Sequence, residues 1–361
     1  MRHVSPALLL LLGLVCVVAL WGCGQNLQTP SQDGFGNNVV VSNGPTPDQS
    51  TSGPTSDTPA VTVEGKPPPP PPPVVPTPER IAFARSVTVK GKTTTQAIHT
   101  MWTNGTDVKQ LTTSAYYAYG PTWSPDGQKI CYTCQRTNLY TMNNDGTDQQ
   151  LLLSSLIDNN KTEWADWGHN AGSPEIAYAD DSMILLYPNP VEPPGLPRLT
   201  DMSYHSPTWS PDGQVLAMAG KSSSVTPPDT TWSIYVLAKP FTFLTEPIYY
   251  GDPYRIQVLT PGWQPDWCRA DDNGLSKLAY SWGGDLFTVE VYTATGMVVD
   301  GASPVQLTNT PTLTEEQPSW SPDGTRLAFQ EGGHIKTLDI AAGVTTDLGV
   351  GTNPAWSPSV F

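Results

Sequence analysis

From Glu79 onward, short runs of alternating apolar and polar residues follow one another, separated by turns rich in Gly, Pro, Asn and Asp. Alternation with a period of two is typical of β-strands that bury one face. One run recurs in closely similar form, as in Arg80-Ile-Ala-Phe83 and Arg326-Leu-Ala-Phe329. The pattern predicts an all-β fold built from repeated short strands.

A Trp-Ser-Pro-Asp-Gly phrase precedes three of these runs, and degenerate copies supply three more tryptophans. Proline and glycine suit a tight turn, and aspartate can accept hydrogen bonds from the turn's backbone. Tryptophan offers a large apolar surface for packing one unit on the next. The predicted repeat-structural residues are Trp123, Asp126, Gly127, Trp167, Trp209, Asp212, Gly213, Trp263, Trp320, Asp323, Gly324 and Trp356.

The ends of the repeat array are out of phase. The repeat that begins at residue 80 has no tryptophan strand before it. At the other end, the tryptophan strand at Trp356 has no further strands after it. A linear array would leave two open sheet edges, but a ring would join residues 353–360 to the blade of residues 80–112. The pattern predicts a six-bladed β-propeller of four-stranded blades with this 3+1 closure.

The first 22 residues have the features of a targeting segment. A short positive start precedes an apolar run over 7–20, which is shorter than the roughly 20 residues that span a bilayer. Leu20-Trp21-Gly22-Cys23 then resembles the bacterial lipobox, which implies cleavage after residue 22 and lipid on Cys23. An ordinary secretory peptide and an uncleaved anchor are the alternatives.

Residues 23–78 are rich in Gln, Asn, Ser, Thr and Pro, with seven consecutive prolines from Pro67 to Pro73. Such a segment buries too little apolar surface to offset its ordering entropy, so we predict a disordered linker between the lipid anchor and a propeller at 79–361. The proline run would be a stiff spacer. A proline-rich ligand for a partner domain is the alternative.

Charge and composition argue against nucleic-acid binding and against a helical fold. The chain carries 33 acidic and 18 basic residues, a formal charge of −15 at pH 7. Because such a chain repels phosphate backbones, nucleic-acid binding is not expected. Only 14% of the residues are charged and 38 are proline, which disfavours a helical fold.

The phrase Pro-x-Trp-Ser-Pro-Asp-Gly, followed by Ile-Ala-Phe and Leu-Thr, resembles the WD-like repeats of the TolB family's propeller domain. The resemblance covers residues 79–361 and implies a TolB-like β-propeller. Gly24 after the lipidated cysteine is not the aspartate that commonly retains lipoproteins in the inner membrane. It favours the outer membrane, with the protein facing the periplasm or the cell surface.

Enzymatic motifs are missing from the sequence. There is neither a Gly-x-Ser-x-Gly elbow nor a His-Glu-x-x-His helix, so we expect no catalysis, no cofactor and no metal. The pair Cys131 and Cys134 has the spacing of a redox or metal site. When the repeats are aligned, however, the other repeats have alanine at the position of Cys131, which indicates a small buried residue. Asn143–Asp148 lacks the distal glutamate of a calcium loop, so a turn is predicted there.

Residues that enter each inner strand should ring one mouth of the central channel, where aromatic and polar side chains suit a ligand. The sequence predicts a monomeric, non-catalytic envelope lipoprotein that binds a protein or peptide at this mouth. A small-ligand or glycan receptor, or a hydrolase or lyase, that uses the same mouth is the alternative. The candidate binding residues are Tyr119, Glu163, Trp164, His205, Glu316 and Gln317.

Overall fold

The computed structural model describes residues 79–89, 93–113, 116–154, 162–168, 176–180, 183–187, 202–222, 232–238, 255–259 and 261–358. The predicted signal peptide, the lipidation site Cys23 and the linker lie outside these residues. The described residues are organised into β-strands, as the alternating pattern predicts. In this part of the chain, no helix has the length and apolarity needed to cross a membrane.

The strands of the described residues form six antiparallel sheets, which are the blades of a propeller. Blade 1 contains β1 (Arg80–Val89), β2 (Thr93–Trp102) and β3 (Lys109–Gln110). Blade 2 contains β4 (Ala118–Trp123), β5 (Lys129–Cys134), β6 (Asn138–Asn143) and β7 (Gln150–Ser154). Blade 3 contains β8 (Thr162–Trp167), β9 (Ile176–Asp180) and β10 (Met183–Tyr187). The fourth strand predicted for blade 3, near 199–200, lies outside the described residues.

Blade 4 contains β11 (Met202–Trp209), β12 (Val215–Ser222), β13 (Ser233–Ala238) and β14 (Arg255–Leu259). Blade 5 contains β15 (Trp263–Trp267), β16 (Leu275–Trp282), β17 (Asp285–Tyr292) and β18 (Val305–Gln306). Blade 6 contains β19 (Glu315–Trp320), β20 (Arg326–Glu331), β21 (His334–Asp339) and β22 (Val344–Val350). The last strand, β23 (Thr352–Trp356), returns to blade 1 and completes its sheet in the order β23-β1-β2-β3.

The predicted 3+1 closure of the ring is confirmed. Ile81 pairs with Trp356 and Ala82 with Ala355 in antiparallel register. The backbone N–H of Ser357 donates to the carbonyl of Arg80 at 2.8 Å, which extends this pairing. The six inner strands contact one another in the cyclic order β4, β8, β11, β15, β19, β23 and back to β4. No inner edge is therefore left open between the first and last blades.

Trp267, rather than Trp263, holds the repeat position of blade 5, which corrects the sequence prediction. Trp267 pairs with Leu278 as Trp123 pairs with Ile130 in blade 2, and Trp267 is only 2% exposed. The prediction was wrong because this strand has a tryptophan at each end, and Gln-Pro-Asp after Trp263 imitates the repeat phrase. Packing selects the second tryptophan, and Trp263 is left at the mouth of the channel.

The repeated turns have the predicted chemistry. In the first copy, the Ser124 hydroxyl donates to Asp126 Oδ1 at 2.6 Å, and the Gln128 N–H donates to the same oxygen at 3.0 Å. Gly127 takes a φ of 66°, a left-handed conformation that other residues resist. Asp212 and Asp323 accept the same hydrogen bonds in blades 4 and 6.

The two ends of the propeller differ in what they present. We call the end where the inner strands begin the entry face, and the end where they reach the repeat tryptophans the exit face. Glu79, the first described residue, lies at the exit face, where its carboxylate accepts hydrogen bonds from Trp356 Nε1 and Arg326, both at 3.0 Å. The described chain therefore enters the propeller on the side opposite the predicted binding mouth.

Candidate binding site at the entry face

A bulge in each inner strand shapes the mouth of the channel. The pairing register shifts at the same point in all six inner strands. One residue of each bulge is left-handed, with a φ between 51° and 59°. In blade order these residues are Asn353, Gly120, Trp164, Ser206, Gln264 and Gln317. In five blades a proline follows, which has no N–H to offer the ladder and so suits the bulge.

The residues just before the left-handed positions form a ring around the mouth. In blade order they are Thr352, Tyr119, Glu163, His205, Trp263 and Glu316. The structure thus brings the predicted candidates to one end of the channel. The backbone of Glu163 lies in this ring, and its side chain is outside what the structure describes. The sequence analysis missed Trp263 as a member of this ring, because it took Trp263 for the repeat tryptophan of blade 5.

Trp164 is the unusual member of the left-handed set. It has a φ of 53°, is half-buried, and lines the channel at the mouth. A bulky residue in this region of φ is strained, whereas Gly120 at the equivalent place in blade 2 is not. Such strain persists where the surrounding structure imposes it, and it is concentrated at functional sites.

Two predicted candidates serve the propeller itself. Tyr119 is 8% exposed and packs against Tyr117, with ring centres 5.3 Å apart. Gln317 joins three blades, because its N–H donates to Gln264 Oε1 and its Oε1 accepts the N–H of Asn353, both at 2.9 Å. The accessible aromatic residue near Tyr119 is Tyr116, which is 54% exposed.

His205 and Glu316 lie beside an aromatic cluster on the entry face. The half-buried His205 ring packs against Trp232 at 5.2 Å and Trp263 at 5.6 Å between ring centres. Glu316 is half-buried and borders a cleft that also contains Trp232, Trp263 and Trp282. The sequence gives no periodic signal for this cluster, because its members come from loops and strand ends of different repeats.

Below the mouth, a cavity of about 110 Å³ lies on the channel axis and is lined by all six inner strands. Side chains just before the repeat tryptophans join neighbouring blades there. Asp166 Oδ2 accepts the N–H of Trp209, and Asp266 Oδ2 accepts the N–H of Trp320, both at 2.8 Å. These aspartates therefore tie blade 3 to blade 4 and blade 5 to blade 6.

The channel also holds a half-buried charge group, formed by Asp166, Asp266 and Arg269. Burial raises the pKa of Asp266 to about 7, and the nearby Asp166 carboxylate adds to the increase, while the Trp320 N–H and Arg269 oppose it. Burial likewise raises the pKa of Asp166 and lowers that of Arg269. The group can exchange a proton near neutral pH, with Arg269 offsetting part of the negative charge.

The cysteines are buried and form no disulfide in the described part of the chain. Burial raises the pKa of Cys131 to about 12 and that of Cys268 to about 11, which keeps both thiols protonated. Cys131 pairs into the second strand of blade 2 at the place where Ala328 lies in blade 6, as the alanine column predicts. Among the described residues, no group of three or more His, Cys, Asp or Glu side chains could hold a metal ion.

Comparisons with known proteins find likeness in fold. No family model matches the sequence, and no curated protein does. TolB from Acinetobacter baumannii is 19% identical over 78% of this chain and 67% of that one, with a TM-score of 0.49. A candidate TolB from Agrobacterium tumefaciens is 16% identical over 78% and 93%, with a TM-score of 0.50.

Hydrazine synthase from Kuenenia stuttgartiensis is 15% identical over 79% of this chain and 47% of that one, with a TM-score of 0.50. The chain thus spans about half the length of that enzyme. At such identities the likeness concerns the fold, which proteins of unrelated function share. The repeats, the six blades and the 3+1 closure together identify the fold as a TolB-like six-bladed β-propeller.

Proposed function

We propose that this protein is a non-catalytic scaffold of the cell envelope that binds a protein or peptide at its entry face. One observation carries the proposal: aromatic and polar side chains that the repeat does not require are gathered at one mouth of the channel. Trp164, His205, Trp263 and Glu316 are all half-buried there, so part of each remains available for contact. Aromatic residues at the centre of a contact surface contribute most to protein binding.

The position of the chain's entry into the propeller supports this assignment. Glu79 lies at the exit face, so a lipid on Cys23 and a linker over 23–78 would attach the propeller by the side opposite the mouth. The point of attachment would then leave the mouth free for a partner. We place the protein in the outer membrane, facing the periplasm or the cell surface, as a monomer.

The chemistry of the described residues favours binding over catalysis. The thiols are buried and protonated. The described histidines His99, His205 and His334 lie in blades 1, 4 and 6. His99 is buried and its pKa is lowered by desolvation, whereas His334 faces Asp347 in the outer part of its blade. The described histidines therefore belong to three different blades.

Site-specific photocrosslinking in the native envelope tests the proposed contact face. A photoreactive amino acid at position 164 should capture a discrete partner, whereas the same group at Asp145, an exposed position of an exit-face turn, should not. Trp164→Gly should lower recovery of that partner about tenfold or more. The melting temperature should not fall, because glycine relieves the strained φ.

Two outcomes would contradict the proposal. Equal capture from positions 164 and 145 would show that the entry face is not the contact surface. Turnover of a glycan or peptide by the purified protein, with loss of that turnover in Glu163→Gln, would favour an enzyme that uses the mouth.

A further inference from the structure

An open cleft lies on the entry face where blades 4, 5 and 6 meet. Its volume is about 330 Å³, and its lining is largely aromatic and glycine-rich. Trp232 immediately precedes the third strand of blade 4, Trp263 begins the inner strand of blade 5, and Trp282 ends the second strand of blade 5. The cleft is therefore built by three blades and sits beside the mouth.

The three tryptophans are held in place by packing and by a close backbone approach. The rings of Trp232 and Trp263 lie 4.1 Å apart between centres, and Trp282 rests on Phe287 at 5.2 Å. Gly262 donates its N–H to the Trp232 carbonyl at 2.7 Å, and a Cβ at Gly262 would lie 2.7 Å from Ile234. Trp282 remains 46% exposed, so an ordered indole is offered to a ligand.

The charged side chains among the described residues that line the cleft are both carboxylates. Besides the indole N–H groups of the three tryptophans, the polar side chains are Ser281, Thr314, Glu315 and Glu316, and none of the described lining residues is Asn, Gln, His, Lys or Arg. The Ser281 hydroxyl is already committed to Gln264 Oε1. Two carboxylates without a cationic side chain in the lining suit a cationic ligand that brings its own hydrogen-bond donors.

The two carboxylates of the cleft lining differ in their surroundings. Glu315 accepts hydrogen bonds from Thr308 and, at 3.0 Å, from Thr310, and it is almost fully buried. Burial raises its pKa, and the neighbouring carboxylates Glu331 and Asp285 raise it further. Glu316 adds an accessible carboxylate at the edge of the cleft. The accessible Glu316 carboxylate makes a cation the complementary ligand.

We propose that this cleft binds an arginine side chain of a partner peptide, stacked on Trp282 and paired with Glu316. The proposal rests on the proposed function, since it names the chemistry that the entry face recognises. A guanidinium offers five donors and a planar face, and it stacks on indole rings. Among the described residues, arginine makes this contact with tryptophan in two places, with Arg80 over Trp102 at 4.0 Å and Arg326 over Trp356 at 4.7 Å.

Calorimetric titration of the full chain with defined peptides tests the proposal. The probes are a short Gly/Ser peptide with two arginines, the same peptide with citrulline in place of arginine, a proline-rich peptide without charge, and a neutral oligosaccharide. Citrulline keeps the shape of arginine and removes the charge. We expect the arginine peptide to bind more tightly than the citrulline peptide, by about tenfold.

Variants locate the binding in the cleft. Trp282→Ala and Glu316→Gln should each weaken arginine-peptide binding about fivefold. Glu290→Gln removes the same charge from an exposed position on β17 and should leave it unchanged. The melting curve of each variant separates loss of binding from loss of folding, and Trp282→Phe provides a milder change of the same surface.

The outcomes separate this inference from the proposed function. Equal binding of the arginine and citrulline peptides would overturn it, as would oligosaccharide or proline-peptide binding that Trp282→Ala abolishes. If arginine binding fails while position 164 still captures a partner, the arginine assignment is wrong and the contact face stands. If the arginine peptide binds as expected and position 164 captures nothing, the cleft is supported and the proposed partner surface is not.

Discussion

At the scale of single residues, one layer of the channel links the blades. Thr208 Oγ1 accepts the Trp267 N–H at 3.2 Å, and Ser319 Oγ accepts the Trp356 N–H at 3.0 Å, as Asp166 and Asp266 do for their neighbours. The sequence predicted that the tryptophans pack and that the turn aspartates cap turns. It could not reveal this layer, because Thr, Asp and Ser share only the ability to accept a hydrogen bond.

The half-buried carboxyl of Asp266 should make the free energy of unfolding depend on pH. Its pKa is about 7 in the folded protein and 3.8 when exposed. Between pH 3.8 and pH 7 the carboxyl is therefore protonated in the folded state and ionised in the unfolded state. The contribution of Asp266 to stability is therefore fully present below about pH 4 and is lost as the pH rises to about 7. Asp266→Asn should remove this contribution to the pH dependence of the free energy of unfolding. It should also increase stability at pH 8, since asparagine is uncharged and can still accept the Trp320 N–H.

Urea unfolding of both proteins across this pH range measures the effect. Asp300→Asn, at an exposed position of the same blade, is the matched control, because it makes the same substitution away from the channel. It should leave the pH dependence of the free energy of unfolding unchanged. An unchanged pH dependence in Asp266→Asn would show that this carboxyl is not protonated in the folded protein.

At the scale of elements, β23 decides whether the ring closes. It supplies the inner strand of blade 1, and the Trp123 indole donates to its Ala355 carbonyl at 3.0 Å, which links blade 1 to blade 2. The sequence predicted this strand from a count of repeat columns. It did not predict the bulges, because the left-handed residue itself can be Gly, Asn, Gln, Ser or Trp, and the proline that follows it in five blades does not by itself specify a bulge.

Removal of residues 352–361 should therefore expose the inner edge of β1 and open the ring. We expect aggregation, or a melting temperature lowered by about 10 °C or more, because a large buried interface and its strand pairing are lost. Removal of 359–361 alone spares β23 and is the matched control. A long deletion that stays monomeric and melts like the control would show that closure does not hold the fold together.

At the scale of the whole molecule, the two faces of the propeller carry different residues. The exit face carries the repeated turns and receives the chain at Glu79, whereas the entry face carries the non-repeated aromatic residues. If Cys23 bears lipid, the linker connects the membrane to the exit face. Acyl chains would then hold the protein at the membrane without a spanning segment.

Cys23→Ser should move the protein from the membrane fraction to the soluble fraction, because the acylated thiol is removed. Cys16→Ser changes the other N-terminal cysteine and should leave the distribution unchanged. Fractionation with detection of the full chain makes the measurement. Retention of Cys23→Ser in the membrane, released only by detergent, would favour the uncleaved anchor.

The sequence alone determined the strand repeat, the number of blades and the closure, because each depends on local periodicity and turn chemistry that recurs along the chain. Tertiary structure decided which tryptophan of 263 and 267 is buried, because both fit the pattern and only packing against Leu278 separates them. It also decided the binding surface. Trp232, Trp263 and Trp282 meet only when blades 4 and 5 pack side by side, and contacts between repeats follow no period in the sequence.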